Sequence, residues 1–183
     1  RTGDVSYFGR SFTRADSRQR RDMRLDWGVT FQQGGLISAM TIAENLSLPL
    51  ELYTDLSAAE RREYIDLKLS LVGLAGYETF YPAELSGGMR KRAALARAIM
   101  LDPKILFFDE PSAGLDPITS AELDNLIIHL NKSLKTTMVI VTHELQSIFS
   151  VAHRIIMLDK KTKGIIAEGN PRYLRDHSQN PFV

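Results

Sequence analysis

The chain has 183 residues, 44% of them hydrophobic and 25% charged, and its 23 Lys+Arg against 22 Asp+Glu leave a formal net charge of +1. That length suits one domain with a sizeable core, and so even a balance excludes a bulk field that would favour nucleic acid or an anionic membrane. With no cysteine there is neither a disulfide framework nor a thiolate metal site.

Asp4-Val5-Ser6-Tyr7-Phe8-Gly9 reads as a short strand ended by glycine. An opening this abrupt, on Arg1 and with no signal peptide before it, points to a fragment. Arg10, Arg14, Arg18, Arg20, Arg21 and Arg24 then outnumber Asp16 and Asp22, as on a solvated helix face; a lipid or phosphate patch is the alternative. Gly28-Val29-Thr30-Phe31-Gln32 is a strand bounded by the turn pair Gly34-Gly35. Thr41-Ile42-Ala43-Glu44 and Ser57-Ala58-Ala59-Glu60 both fit a capping box, so a helix starts at each. The second helix carries Ile65, Leu69 and Val72 on one face and stops near Gly73. A third begins at Ser86–Gly88 and runs until Pro103 forbids continuation.

Lys104–Glu110 reads as a buried strand of a parallel sheet covered on both faces. Thr119-Ser120-Ala121-Glu122 is a further capping box, predicting a helix with Leu123, Leu126, Ile127, Leu130 and Leu134 at helical spacing. Thr137–Thr142 is a strand, Glu144–Val151 a helix, and Arg154–Leu158 and Gly164–Glu168 are strands around the Lys160–Lys163 turn. Asn170-Pro171 is an N-cap followed by proline at the first helical position. Strands alternating with helices make this an α/β chain with a largely parallel sheet. Apolar runs such as Ile105–Phe108 and Met138–Val141 fall far short of the roughly 20 residues that span a bilayer, so any membrane role comes through a partner.

Three stretches carry chemistry. Leu85-Ser86-Gly87-Gly88-Met89-Arg90 opens a helix, where free N–H groups and the macrodipole attract anions and glycine lets a phosphate approach. Asp109 and Glu110 end an apolar strand, where open α/β sheets place their ligands, and an acidic pair there can hold Mg²⁺ and orient a water. His143 ends a later strand and can sense the same phosphate. Asp-Glu-Pro alone would merely close a strand in a polar turn; the order of all three gives it meaning. His129, His153 and His177 match no motif.

In that order the motifs resemble the ATP-binding cassette (ABC) ATPases, and Leu85–Met89 looks like the LSGGQ signature with Met89 in place of Gln. The resemblance runs from about Asp4 to Pro171, but no G-x-x-x-x-G-K-[ST] phosphate loop (Walker A) occurs in the chain. It implies an α/β P-loop NTPase (RecA-like) parallel-sheet core over 1–34 and 101–183, incomplete at its N-terminus. A helical subdomain over about 35–100 would carry the signature. The cofactors implied are ATP and Mg²⁺. By resemblance Asp109 helps hold Mg²⁺, and Glu110 polarises the attacking water. Gln32 is the Q-loop glutamine contacting Mg²⁺ and water, with Gln33 as the weaker candidate. Ser86, Gly87 and Gly88 reach the ATP of an opposite subunit, Asp116 of Ser112-Ala113-Gly114-Leu115-Asp116 acts across the same dimer, and His143 donates to the γ-phosphate.

The resemblance therefore implies a head-to-tail homodimer with a second ABC ATPase subunit. The compact helical segment between Gly34 and Leu85 disfavours the DNA-repair and translation branches and leaves transport, so no nucleic acid is expected. A transmembrane permease would be the partner, with Gly34–Leu52 (Leu36, Ile37, Met40 and Ile42 among them) forming part of its docking groove. The subunit would be cytoplasmic and peripheral on the inner face of the cell membrane. Gly28–Leu36, Ser86–Leu95 and Pro111–Ile118 look most like Mla-type ATPases, which move phospholipid or other lipids, and this adds a lipid-binding protein as a partner. An amino-acid or drug transporter ATPase and a non-hydrolysing binding or regulatory module are the alternatives. In the family fold, the strand leading into the phosphate loop lies between those matching Thr137–Thr142 and Arg154–Leu158. A slot is expected there, and the chain alone is expected to be inactive.

Overall fold

The computed structural model describes residues 3–180. Near the N-terminus the expected strand is a minimal hairpin, β1 (Ser6–Tyr7) antiparallel to β2 (Arg10–Ser11). The arginine-rich stretch becomes α1 (Ser17–Leu25), started by a capping box in which Asp16 Oδ1 accepts from the Gln19 amide at 2.8 Å and Gln19 Oε1 accepts from the Asp16 amide at 3.0 Å. Only Met23 of this helix is buried; Arg18, Arg21 and Arg24 are exposed, while Arg20 is half-buried and donates to the Phe12 and Thr13 carbonyls.

The main sheet is parallel and three-stranded, in the order β3 (Trp27–Thr30), β4 (Ile105–Asp109), β5 (Thr137–Val141). Its register pairs Thr30 with Phe108 and Asp109 with Val141, which brings three strand C-termini to one end. The strand expected over Gly28–Gln32 is shorter: β3 stops at Thr30, and Gln32 lies in the turn beyond it. Gly34 and Gly35 take φ of 78° and 65°, and the Gly34 amide donates to Phe31 O at 2.7 Å, so the chain leaves the sheet before a longer ladder can form.

Residues 35–100 carry helices only: α2 (Ile42–Tyr53), α3 (Ala58–Leu71), a 3₁₀ turn (Pro82–Glu84) and α4 (Gly87–Ala98). Both expected capping boxes are formed, Thr41 with Glu44 and Ser57 with Glu60. Buried Asn45 adds what the pattern did not reveal. Its side chain accepts from the Ile37 amide at 2.7 Å and donates to Ile37, Met40 and Thr41 carbonyls, stapling residues 37–41 onto α2. One apolar cluster runs from Leu46 of α2 and Leu69 of α3 through Ala96 of α4 to Leu106 and Phe108 of β4.

Next comes α5 (Pro117–Leu134), whose Leu123, Ile127 and Leu130 are buried as expected. Its start corrects the expected Thr119–Glu122 box. Asp116 is the N-cap, accepting from the Ile118 and Thr119 amides, and Thr119 stands inside the first turn. Proline at the first helical position fixes the entry and moves the cap upstream. The chain then continues through α6 (Leu145–Val151), β6 (Ile155–Asp159), β7 (Gly164–Gly169) and α7 (Pro171–His177), the last capped by Asn170 as expected.

β4 was expected to be covered on both faces. Leu106 and Phe108 are buried, while Ile105 and Phe107 are only half-buried, because helices α2–α4 pack on one face and the other meets an aromatic group around Trp27. β6 and β7 form a separate antiparallel pair, and β5 pairs with neither. Val141 of β5 is 60% exposed and Leu158 of β6 74% exposed. This gap lies between the two strands where the family resemblance places a slot.

Candidate functional site

Four of the expected site residues meet at the C-terminal end of the parallel sheet. Asp109 is the last residue of β4, exposed there, and Glu110 follows it. Glu110 has φ of 47°, the left-handed region that a residue with a Cβ adopts only under strain of about 1–3 kcal/mol. Its amide donates to Val141 O at 2.9 Å, and its carbonyl accepts from the Ala113 amide at 3.2 Å, so the hydrogen bonds of the turn hold the strained residue in place.

The Glu110 side chain is bipolar in its surroundings. Oε1 accepts from His143 Nδ1 at 2.7 Å, while Oε2 is buried with no hydrogen-bond partner among the described residues. A carboxylate oxygen in that state has lone pairs to offer, and leaving them unmet costs free energy. His143 is 81% exposed at its side chain against 18% for Glu110, so the pair runs from the protein surface inward. Hydrogen bonding to Glu110, and then its charge, raise the His143 imidazole above its ordinary range. A water held by Oε2 would be polarised by a carboxylate whose other oxygen is already fixed.

The signature glycines turn out to have a packing role that the sequence did not reveal. Ser86 caps α4, its Oγ accepting from the Met89 amide at 3.2 Å. A Cβ on Gly88 would lie 2.5 Å from Thr119 Cγ2 on α5, closer than real atoms approach. Thr119 cannot turn away freely, because its hydroxyl donates to Asp116 Oδ2 at 2.5 Å. Gly88 is therefore required by the α4–α5 contact, whatever it does for a phosphate. Gly87 differs, since its Cβ would meet Leu115 at an ordinary 3.4 Å. Gly88→Ala is expected to destabilise the protein by about 1–3 kcal/mol. Thr119→Ser in the same molecule removes the opposing methyl and should recover most of that loss. Thermal unfolding of the two single variants and the double variant checks both statements; additive effects would contradict the contact.

Asp116 spends both carboxylate oxygens on its own helix, and the Thr119 hydroxyl in particular holds its carboxyl below the usual range. Gln32 reaches the site through its backbone: its carbonyl accepts from Lys91 Nζ at 2.5 Å. Lys91 also donates to Glu110 O at 3.3 Å, and Arg97, two turns along α4, donates to Gly35 O at 2.7 Å and Gly34 O at 3.3 Å. Neither cation stands out in the sequence among the many Lys and Arg. Six positions put the two on different faces of α4, so no helical repeat singles them out. No hydrogen bond among the described residues joins Ser86 to Glu110 or His143. His129 and His177 bond only carbonyls of their own helices.

Nucleotide and Mg²⁺ can be tested against these donors. The exposed Asp109 carboxylate and the adjacent turn at Gln32 fit a metal that would take its remaining oxygens from phosphate and water, which leaves the unpartnered Glu110 Oε2 for a water. No group of three His, Cys, Asp or Glu converges among the described residues, so the ion would come with the nucleotide.

A family model described as ABC transporter matches residues 1–113. The chain is 40% identical over 159 residues to the probable ribonucleotide transport ATP-binding protein mkl of Mycobacterium tuberculosis, covering 87% of this chain and 44% of that protein. It is 38% identical over 173 residues to the intermembrane phospholipid transport system ATP-binding protein MlaF of Haemophilus influenzae, covering 94% of this chain and 64% of that one. The chain thus spans about half to two-thirds of the length of these relatives. Among solved structures, the dimeric ATP-binding cassette MJ0796 bound to ADP and Pi superposes with a TM-score of 0.81 at 31% identity, over 93% of this chain and 74% of that chain.

Proposed function

The chain belongs to the ABC transporter family as an ATP-binding subunit, and from that footing we propose that it hydrolyses ATP to drive lipid, specifically phospholipid, movement across or between membranes. The observation that carries the hydrolytic reading is Glu110: one oxygen held by His143, the other buried and unpartnered beside Asp109. Phosphoryl transfer asks a protein for positioning and charge stabilisation. Glu110 orients the attacking water, and His143 donates to the γ-phosphate from the exposed end of the pair. Asp109 and Gln32 would hold Mg²⁺, which would supply charge neutralisation at the phosphate oxygens.

Ser86, Gly87 and Gly88 bind the ATP of a second copy placed head-to-tail, and Asp116 contributes from the same interface. The dimeric structure of the similar cassette MJ0796 supports pairing with a second copy. No helix among the described residues is long and apolar enough to cross a membrane, so the membrane step belongs to a permease, beneath which this subunit sits on the inner face. Within the segment expected to receive the permease, Ile42 is core and leaves the candidate surface, while Ile37 is exposed. A cleft of about 600 Å³ begins at the C-terminal end of α2 and is lined by Leu50, Tyr53, Glu60, Tyr64 and Asp102.

The MlaF name supports a lipid cargo and a lipid-binding partner; the mkl name favours ribonucleotide as the second reading. The test is reconstitution of the full-length subunit with its permease in vesicles carrying labelled phospholipid, with labelled ribonucleotide supplied in parallel. ATP-dependent movement of the lipid alone is expected. Movement of ribonucleotide alone would replace the cargo reading, and no ATP turnover at any protein concentration would end the enzymatic one.

A further inference from the structure

We propose that Lys91 is a positioning residue that ties the signature helix to the water-orienting glutamate, so that displacement of α4 is felt directly at Glu110 and at the Gln32 turn. This inference rests on the hydrolytic reading of Glu110 given above, and deepens it by naming what holds that residue in place.

Lys91 stands a little over one turn from the N-terminus of α4. Its ammonium bridges two backbone carbonyls from two different strand ends: Gln32 O after β3 at 2.5 Å, and Glu110 O after β4 at 3.3 Å. The cation is aimed at main chain and has no carboxylate ion-pair partner among the described residues; Glu110 Oε1 is already taken by His143. Charge-assisted bonds to carbonyls are among the stronger hydrogen bonds available to a side chain, and in a partly desolvated place they are stronger still. Burial pushes the Lys91 ammonium below its ordinary range, and the nearby charges of Glu110, Glu144 and Asp109 work against that shift.

The strain at Glu110 gives this contact its leverage. A non-glycine residue at φ of 47° relaxes toward negative φ unless both of its peptide groups are held. The preceding peptide is held by the bond from the Glu110 amide to Val141 O, within the sheet end. The following one is held at the Glu110 carbonyl, by the Ala113 amide of its own turn and by Lys91 from α4. Lys91 is the one of these three that comes from the signature helix. Arg97 completes the attachment on the other side by holding the Gly34 and Gly35 carbonyls. A ligand that drew on the Ser86–Gly88 end of α4 would therefore load the backbone of Glu110 in the same subunit, without any side-chain contact between them.

The test is amide hydrogen exchange on the full-length protein without nucleotide, in wild type, Lys91→Met and Lys91→Arg, so that it reads the geometry whether or not the protein proves to be an ATPase. In Lys91→Met the Ala113 and Gly34 amides, which bond to Glu110 O and Phe31 O, should exchange about tenfold faster, the loss expected for one charge-assisted hydrogen bond. Amides within β4 and α4 should keep wild-type protection, and Lys91→Arg, which can still reach both carbonyls, should restore the turn. If ATP is turned over, kcat should fall in Lys91→Met with KM for ATP unchanged. Wild-type exchange at both turns overturns the proposal, and so does an equal loss of protection throughout α4 and β4, which would mean a role in holding the fold. Should Lys91→Met not fold, Lys91→Gln replaces it. Its amide nitrogen is uncharged and one atom closer to the backbone, so both turns should still lose protection, and full protection at both would again overturn the proposal.

Discussion

Replacing Glu110 by Gln is expected to lower ATP turnover in the full-length protein by about 10²–10⁴-fold, the range for loss of a positioned proton acceptor, while nucleotide binding persists. The substitution changes no volume. It keeps an oxygen or an NH₂ group toward His143, and it leaves the left-handed backbone and its bond to Val141 O untouched. What it removes is the carboxylate charge at the buried, unpartnered Oε2. An amide there can accept from a water but cannot take its proton. Nucleotide affinity comes from other groups, so binding should survive and the nucleotide-bound dimer should accumulate. Steady-state hydrolysis and equilibrium binding, measured on the same preparation, separate the two effects. Undiminished turnover would remove Glu110 from the chemistry, and lost binding together with lost turnover would make it a ligand instead.

The largest expected effect on stability falls at Gly28, far from the chemistry. A Cβ on this residue would lie 2.3 Å from the Ala98 carbonyl oxygen, 2.4 Å from Leu106 Cδ2 and 3.1 Å from Pro103 Cγ. The first obstacle is main chain at the end of α4, and the last belongs to a rigid ring. Only Leu106 could move, and it is fully buried in the apolar cluster. Gly28→Ala should therefore cost at least the upper end of the roughly 1–3 kcal/mol typical of overpacking, about 10 °C in midpoint for a domain of this size. Gly28→Val should prevent folding. Thermal and urea unfolding beside wild type decide it. A midpoint for Gly28→Ala within the error of wild type would mean that β3 and α4 are not packed as described.

Gly28 also shows which parts of this architecture could be read without coordinates. Capping boxes at Thr41 and Ser57, the 3.6-residue repeat of α5 and the Asn170-Pro171 start are local patterns, and each folded as its own residues dictate. Motif order likewise placed Asp109, Glu110 and His143 at strand ends. The residues that escaped notice act at long range. Asn45 looked like one polar residue in a helix, Lys91 and Arg97 like two cations among many, and Gly28 like a strand glycine. Their partners are distant carbonyls, loops or helix ends, and nothing in a single sequence encodes such proximity. Gly88 was noticed for a phosphate, while its packing against Thr119 escaped notice because that residue comes 31 positions later in the chain.

The tight approach of Gly88 to Thr119 bears on how such chains would diverge. A copy that lost hydrolysis would be released from any need for Glu110 or His143, yet it would still have to bring α4 against α5 in order to fold. Mutation could erase the chemistry while Gly88 survived, kept by stability alone. In descendants of this sequence, an intact Gly88 would report a folded domain, whatever became of the glutamate–histidine pair.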